Sequence, residues 1–329
     1  MVSESDNPDT TYRQRAVLII GAGRSGTSAV AHGVQVLGVD LGDHFKRATR
    51  KNPTGFFEDA ELLDLSKRVR RKLGLRADSV ALIDASAWQQ PGIATLQERA
   101  GKIIQRRFMH SPIWGFKYGR TLSILPFWQA VFAELGIEPS FVIATRNPLS
   151  VARSRARLDT RRGTQEKSDL EWLVSIVPYF RQLRGQRFMV IDYDLLMQEP
   201  QAQLRRLARQ LQLPHDAQTE QAVQDYARHF LASDLRHSHF NNEDLGRDLH
   251  LNVLTRDAYR WLYRLAADEL TADNEMMWQD WQRIEEALMA MAPVLSHIDR
   301  VEAEFRRARW NPLSFIAAVH QLWRYYRHH

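Results

Sequence analysis

At 329 residues the chain is long enough for one large α/β core with an attachment, because single cores stop growing near about 250–300 residues. A 44% hydrophobic content supports a packed interior, and 45 Lys and Arg against 39 Asp and Glu (formal charge +6) favour an anionic ligand, nucleic acid or an acidic membrane surface without choosing among them. With no cysteine, disulfides, thiolate metal sites and cysteine nucleophiles are excluded.

Residues 1–15 read as a flexible N-terminus. They carry no cationic segment leading into an apolar run, and no later stretch approaches the roughly 18 apolar residues of a membrane span, so a cytoplasmic protein, soluble or peripherally membrane-associated, is expected. Apolar runs at Ala16–Ile20, Ile113–Phe116, Phe141–Thr145 and Phe188–Ile191 predict buried parallel strands. Between them, Leu62, Leu65, Val69 and Leu73, and later Leu204, Leu207 and Leu211, have helical spacing. Strands alternating with helices predict a doubly wound parallel sheet spanning about 16–250, followed by a helical C-terminal extension over 251–329.

The first strand runs into GAGRSGTS, with Gly21, Gly23 and Gly26 ahead of a helix starting near Thr27. Glycines let backbone approach an anion, the amides point at it, and the helix start adds partial positive charge. Three phosphate loops compete for the segment. Walker A spacing is present, yet Thr27 takes the lysine position, which argues against triphosphate hydrolysis. The dinucleotide fingerprint is also met, with Asp40 at the distance of a ribose-binding acid, but no second apolar strand leads into it. The third option is a loop carrying its own cation, Arg24, with hydroxyls at Ser25, Thr27 and Ser28.

After the third apolar run comes TRNPLSVARS. Arg146 leaves the strand end, Pro148 suits a first helical turn, and Ser154 lies two turns on, where its hydroxyl can join Arg146 on one phosphate. Six arginines fall between Arg146 and Arg162 against one acid, Asp159, and most are expected to be solvated or to face an acceptor. Two anion sites at the ends of two strands suit a ligand with phosphates at both ends.

The segments GAGRSGTS, NPTGFFED, WGFKYGR, TRNPLSVARS and YDLLMQEP, in this order, resemble the landmarks of the sulfotransferases that use 3′-phosphoadenosine 5′-phosphosulfate (PAPS), most closely their bacterial and carbohydrate-type branch. The resemblance covers residues 16 to about 240. It implies an α/β, P-loop-like three-layer fold with a central parallel sheet and a helical C-terminal appendage. It also implies that Gly23, Arg24, Ser25, Gly26, Thr27 and Ser28 hold the 5′-phosphosulfate, that Arg146 and Ser154 hold the 3′-phosphate, and that Arg236 closes over the same phosphate. Adenosine 3′,5′-bisphosphate would be the product, with no metal needed. Tyr118-Gly119 departs from the expected Asp-Pro, which puts the roles of Lys117 and Arg120 in doubt.

Sulfuryl transfer through a loose in-line transition state needs positioning, charge neutralisation and removal of the acceptor proton. Arg24 with Lys117 would neutralise charge. Glu58, between Phe57 and Asp59, is the preferred base because such neighbours would raise its pKa; Asp59 and His44 are alternatives, and His32 is expected to be structural. The partner is then a hydroxyl-bearing acceptor, such as a carbohydrate, glycolipid or small alcohol, and nucleic acid is not expected. The aromatic and arginine-rich C-terminal block would give membrane contact or homodimerisation. Competing functions are a P-loop kinase or NTPase-like enzyme and a non-catalytic basic module that binds nucleotide or membrane.

Overall fold

The computed structural model describes residues 13–47, 55–214, 216–231, 240, 243–310 and 327. Strands β1 (Arg15–Gly21), β2 (Ile113–Lys117), β3 (Glu138–Thr145) and β4 (Arg187–Asp192) form an all-parallel sheet in the order β2-β1-β3-β4. Leu18 of β1 lies opposite Phe116 on one side and Phe141 on the other. The apolar runs are continuous because both faces of the sheet are covered.

In chain order the helices are α1 (Thr27–Val36), α2 (Ala60–Lys72), α3 (Pro91–Phe108), α4 (Leu125–Leu135), α5 (Pro148–Ala156), α6 (Gln165–Ile176), α7 (Tyr193–Gln198), α8 (Pro200–Gln210), α9 (Ala217–Asp225), α10 (Asp244–Arg247), α11 (Val253–Ala266), α12 (Glu275–Ala290) and α13 (Ala292–Trp310). Strand side chains alternate between two cores. Val17, Ile19, Val142 and Ala144 pack with Val30 and Val34 of α1, Leu204 and Leu207 of α8, and Val223 of α9. Leu18, Ile20, Phe141 and Ile143 face Leu62 and Leu65 of α2, Ile104 of α3, Trp128 of α4, Trp172 of α6 and Leu262 of α11. The fold is therefore α/β, with a parallel sheet between two helical layers.

The helical segment after residue 250 continues the second of these cores. Tyr259 of α11 donates its hydroxyl proton to Asp192 Oδ2 at the end of β4 (3.1 Å), and Trp281 of α12 stacks on Phe180 at 4.0 Å. The C-terminal aromatic and arginine-rich block after Trp310 lies outside the described residues, apart from Arg327. Among the described residues no helix is long and apolar enough to cross a membrane.

One feature of the topology positions the site. The chain leaving β1 turns to the α1 face, whereas the chain leaving β3 turns to the opposite face, where Leu149 of α5 is buried. Neighbouring strands whose connections diverge leave a crevice at their carboxyl ends, the usual ligand position in open α/β sheets. The loops at that crevice carry residues 22–26 and 146–147.

Candidate functional site

The loop between β1 and α1 is held open by close backbone packing. A Cβ at Gly21, whose φ is +153°, would come within 2.3 Å of the Ala144 carbonyl oxygen, so only glycine lets β1 and β3 approach there. The Gly21 amide donates to the Gly119 carbonyl (3.0 Å), and a Cβ at Gly119 would sit 2.8 Å from the Gly21 oxygen. The glycine that departs from the family pattern thus lets the β2 end lie against the loop. Arg24 adopts φ 76° and Gly26 φ 79°, and no side chain caps α1. The first amides of a helix have no intrahelical partner, so this end presents donors and partial positive charge.

The two expected anion cradles meet across the crevice. Arg24 Nε donates to Ser154 Oγ at 3.1 Å, and Arg24 is also close enough to Arg146 to feel its charge. Although Arg24 as a residue is exposed, the protein around its guanidinium lowers its pKa first by desolvation, then through Arg146. Arg146 is 5% exposed, stacks over the Tyr193 ring (4.6 Å to the centroid) and lies 3.8 Å from Asp194 Oδ2. Its position follows from local chemistry: Asn147 accepts the Leu149 amide (3.0 Å) as helix cap and Pro148 opens α5.

The other expected loop residues divide. Gly23 and Thr27 line a cavity of about 690 Å³ in front of the loop, together with Glu58, Tyr118 and Gly119. Ser28 Oγ accepts a hydrogen bond from Lys117 Nζ (3.2 Å). Ser25 is turned inward and fully buried, with its amide bonded to the Ala22 carbonyl (3.2 Å). Arg236 lies outside the described residues.

Lys117 is 4% exposed, and its Nζ also reaches Glu58 Oε1 at 3.1 Å. Burial lowers its pKa, and Glu58 opposes that shift. The cation missing at Thr27 is thus supplied to the start of α1 by the neighbouring strand. The surroundings expected for Glu58 are not those found. Phe57 turns away into a cluster with His32 (4.8 Å) and Phe45 (6.0 Å). Asp59 caps α2 through the Glu61 and Leu62 amides (3.1 and 3.0 Å) and pairs with Arg107. Glu58 instead lies between Lys117 and Lys46, the latter 3.5 Å from Oε2. Sequence neighbours of a loop residue face different ways, and the two ammonium groups come from Lys46, whose backbone amide donates to the Glu58 carbonyl (2.8 Å), and from Lys117 on β2.

The arginine run after Arg146 also differs from expectation. Arg153, Arg157 and Arg161 are exposed, but Arg155 is 5% exposed and converges with Arg162 and Arg120 on buried Glu171, at 2.9, 2.5 and 3.3 Å. Arg155 also donates to the Gly23 carbonyl (3.1 Å), fastening the glycine loop to α5 and α6. Sequence reasoning missed both Arg155 and Glu171 as supports of the loop. Asp40 hydrogen-bonds the Gly42 amide (2.8 Å) beside Trp114 near the start of β2, at the end of the sheet away from the loop, which removes it as a ribose ligand. Among the described residues no three His, Asp or Glu side chains group in a way that could hold a metal ion.

No protein-family model and no curated protein matches the chain. Three solved structures are similar to it. Sulfotransferase STF9 from Mycobacterium avium is 16% identical, with a TM-score of 0.42 over 67% of this chain and 69% of that one. Sulfotransferase STF1 from Mycobacterium tuberculosis H37Rv is 15% identical, with a TM-score of 0.42 over 64% and 71%. The sulfotransferase domain from the curacin biosynthetic pathway is 20% identical, with a TM-score of 0.39 over 64% and 77%.

Proposed function

We propose that this protein is a sulfotransferase that moves the sulfuryl group of PAPS to a hydroxyl of an acceptor. The observation that carries the reading is the meeting of Arg24 and Ser154 at 3.1 Å across the crevice between β1 and β3, with Arg146 beside them. A glycine loop alone serves many nucleotides. A second cationic cradle one strand away selects a nucleotide with anionic groups at both ends, as in an adenosine carrying 3′- and 5′-phosphates.

In this reading the loop amides of 23–28 and the start of α1 hold the 5′-phosphate, while Arg146 and Ser154 hold the 3′-phosphate. The acceptor oxygen forms its bond to sulfur as the bond from sulfur to the phosphate oxygen breaks, and adenosine 3′,5′-bisphosphate leaves. Lys117 and Arg24 supply positive charge where the leaving phosphate gains negative charge. Glu58, the one carboxylate lining the cavity among the described residues, takes the acceptor proton. In this scheme the neutralising charge comes from the chain's own cations, and no metal is invoked.

The test is thermal shift with adenosine 3′,5′-bisphosphate in the absence of magnesium, which should raise the melting temperature because ligand binds only the folded state. Stabilisation by ATP with magnesium, but not by the bisphosphate, would replace this reading with a kinase one. Equal, salt-sensitive stabilisation by any polyanion would replace it with nonspecific binding. Glu58→Gln should keep bisphosphate affinity and slow transfer, and unchanged turnover would remove Glu58 from the role of base.

A further inference from the structure

The cavity in front of the glycine loop has a charge pattern that donor binding does not use. Besides Gly23 and Thr27, its lining draws on the last turns of α2 and the segment after it, with Lys67, Arg70, Arg71 and Arg76, and on Arg120. Five cations thus face one carboxylate, Glu58, which is already held by Lys117 and Lys46. Arg120 has Glu171 (3.3 Å), and Arg76 lies at the edge of ion-pair range from Asp78 (3.8 Å) and Asp299 (3.9 Å). Among the described residues Lys67 and Arg71 have no ion pair.

Arg70 is the most telling member of this wall. It is 6% exposed, yet among the described residues its guanidinium donates only to neutral oxygens, Ser123 Oγ at 3.0 Å and the Arg76 carbonyl at 2.8 Å. Burial lowers its pKa to about 10, and the nearby Arg120 adds to that effect. Tyr118, Glu171 and Asp299 act in the opposite direction, but none forms an ion pair with Arg70, and a buried charge with no directly paired counterion is costly unless something else supplies the opposite charge. These cations project from a single helix face, since positions 67, 70 and 71 recur at helical spacing. The helix is held rigidly by its Asp59 cap and by the burial of Leu62, Leu65 and Val69.

We infer that the acceptor carries a negative group, a carboxylate, sulfate or phosphate, near the hydroxyl that receives the sulfuryl group, and that Lys67, Arg70 and Arg71 bind it. This deepens the sulfotransferase reading and rests on it. In the proposed reading the donor's anionic groups fall to the loop, Arg146 and Lys117, of which only Gly23 and Thr27 of the loop line this cavity, and this leaves the α2 cations for the acceptor. A wall of this charge disfavours a plain neutral sugar or alcohol, because closing over it would bury unpaired cations.

The experiment first saturates the full-length protein with adenosine 3′,5′-bisphosphate, then titrates glucose, glucuronic acid, glucose 6-sulfate, glucose 6-phosphate and inorganic phosphate by calorimetry. At least one of the three anionic sugars should bind at least about tenfold more tightly than glucose, and the best of them identifies the anion. Lys67→Ala combined with Arg71→Ala, both exposed positions, should abolish most of that preference while leaving bisphosphate affinity unchanged. Arg70→Met should do the same if it folds, and the exposed pair decides the matter if it does not. If inorganic phosphate alone gains affinity, if no anionic sugar exceeds glucose, or if the preference survives the paired substitution, the inference fails. A chain that binds no bisphosphate in the first step instead refutes the underlying sulfotransferase reading.

Discussion

Replacing Glu171 by glutamine tests whether the glycine loop depends on a buried ionic knot outside the nucleotide crevice. The glutamine keeps the shape and one acceptor oxygen but removes the negative charge with which Arg120, Arg155 and Arg162 all pair, at 3.3, 2.9 and 2.5 Å. Burial already pulls Arg155 down to about 10, so removing its carboxylate leaves a charge that the site cannot solvate. Breaking a buried pair on one side costs about 3–5 kcal/mol. At roughly 2–4 °C per kcal/mol this predicts a fall in melting temperature on the order of 10 °C. Urea unfolding gives the free energy directly. Because Arg155 also donates to the Gly23 carbonyl, bisphosphate affinity should fall at the same time. Arg162→Met serves as the comparison. Arg162 is half-buried and leaves Glu171 with two arginines, so its loss should cost about 1 kcal/mol. A Glu171→Gln protein within about 1 kcal/mol of the parent, or one whose bisphosphate affinity is unchanged, would refute the idea that this knot holds the loop.

Arg146→Ala should weaken adenosine 3′,5′-bisphosphate by about 10- to 100-fold, the loss of a charge-assisted contact, and adenosine 5′-phosphosulfate far less, since that nucleotide lacks the 3′-phosphate; equal losses in a competition titration would move Arg146 out of the 3′-phosphate cradle. Gly26→Ala places a Cβ 2.2 Å from Tyr193 Cδ2 at φ 79°, and Tyr193 carries Arg146 over its ring. The substitution should therefore lower stability by about 1–3 kcal/mol and bisphosphate affinity with it, and an unaffected affinity would show that Tyr193 does not position Arg146. Asp192 is raised from 3.8 to about 7 by burial and then by Asp194, so between those values the folded protein holds a proton that the unfolded chain releases. Its stabilising contribution is complete below the unfolded pKa and is lost as pH rises through the folded one. Relative to Asp192→Asn, the parent should lose up to about 1.4 kcal/mol per pH unit across that window, and parallel stability curves in urea at acidic and neutral pH would refute the assignment.

The layers of the fold were legible because their cause is local. Val17, Leu18 and Ile19 must all be apolar when helices cover both faces of β1, and Leu62, Leu65 and Val69 reveal the buried stripe of α2. Arg146 at a strand end followed by Asn147-Pro148 was equally readable, since a cap and a first-turn proline declare where a helix begins. The setting of Glu58 was not, because Lys46 and Lys117 reach it through space while its sequence neighbours Phe57 and Asp59 turn elsewhere. Nor was Glu171, which sits among apolar residues of α6 and draws its partners from three positions up to 51 residues away.

Lys117 shows how such distant contributions become reliable. It lies opposite Ile19 in the parallel register, on the face of the sheet that α1 covers, which is why its Nζ meets Ser28 at the helix start. Alternation makes that placement all-or-nothing: a slip of one residue between β1 and β2 would send the ammonium group to the opposite layer. Gly115 and Gly119 guard against the slip, because a Cβ at either would lie 2.4 Å from the Val17 oxygen or 2.8 Å from the Gly21 oxygen. A loop that carries Arg24 but has Thr27 at its lysine position thus receives a second cation from β2, and that part of the positive charge at the start of α1 is set by strand register instead of by the loop sequence.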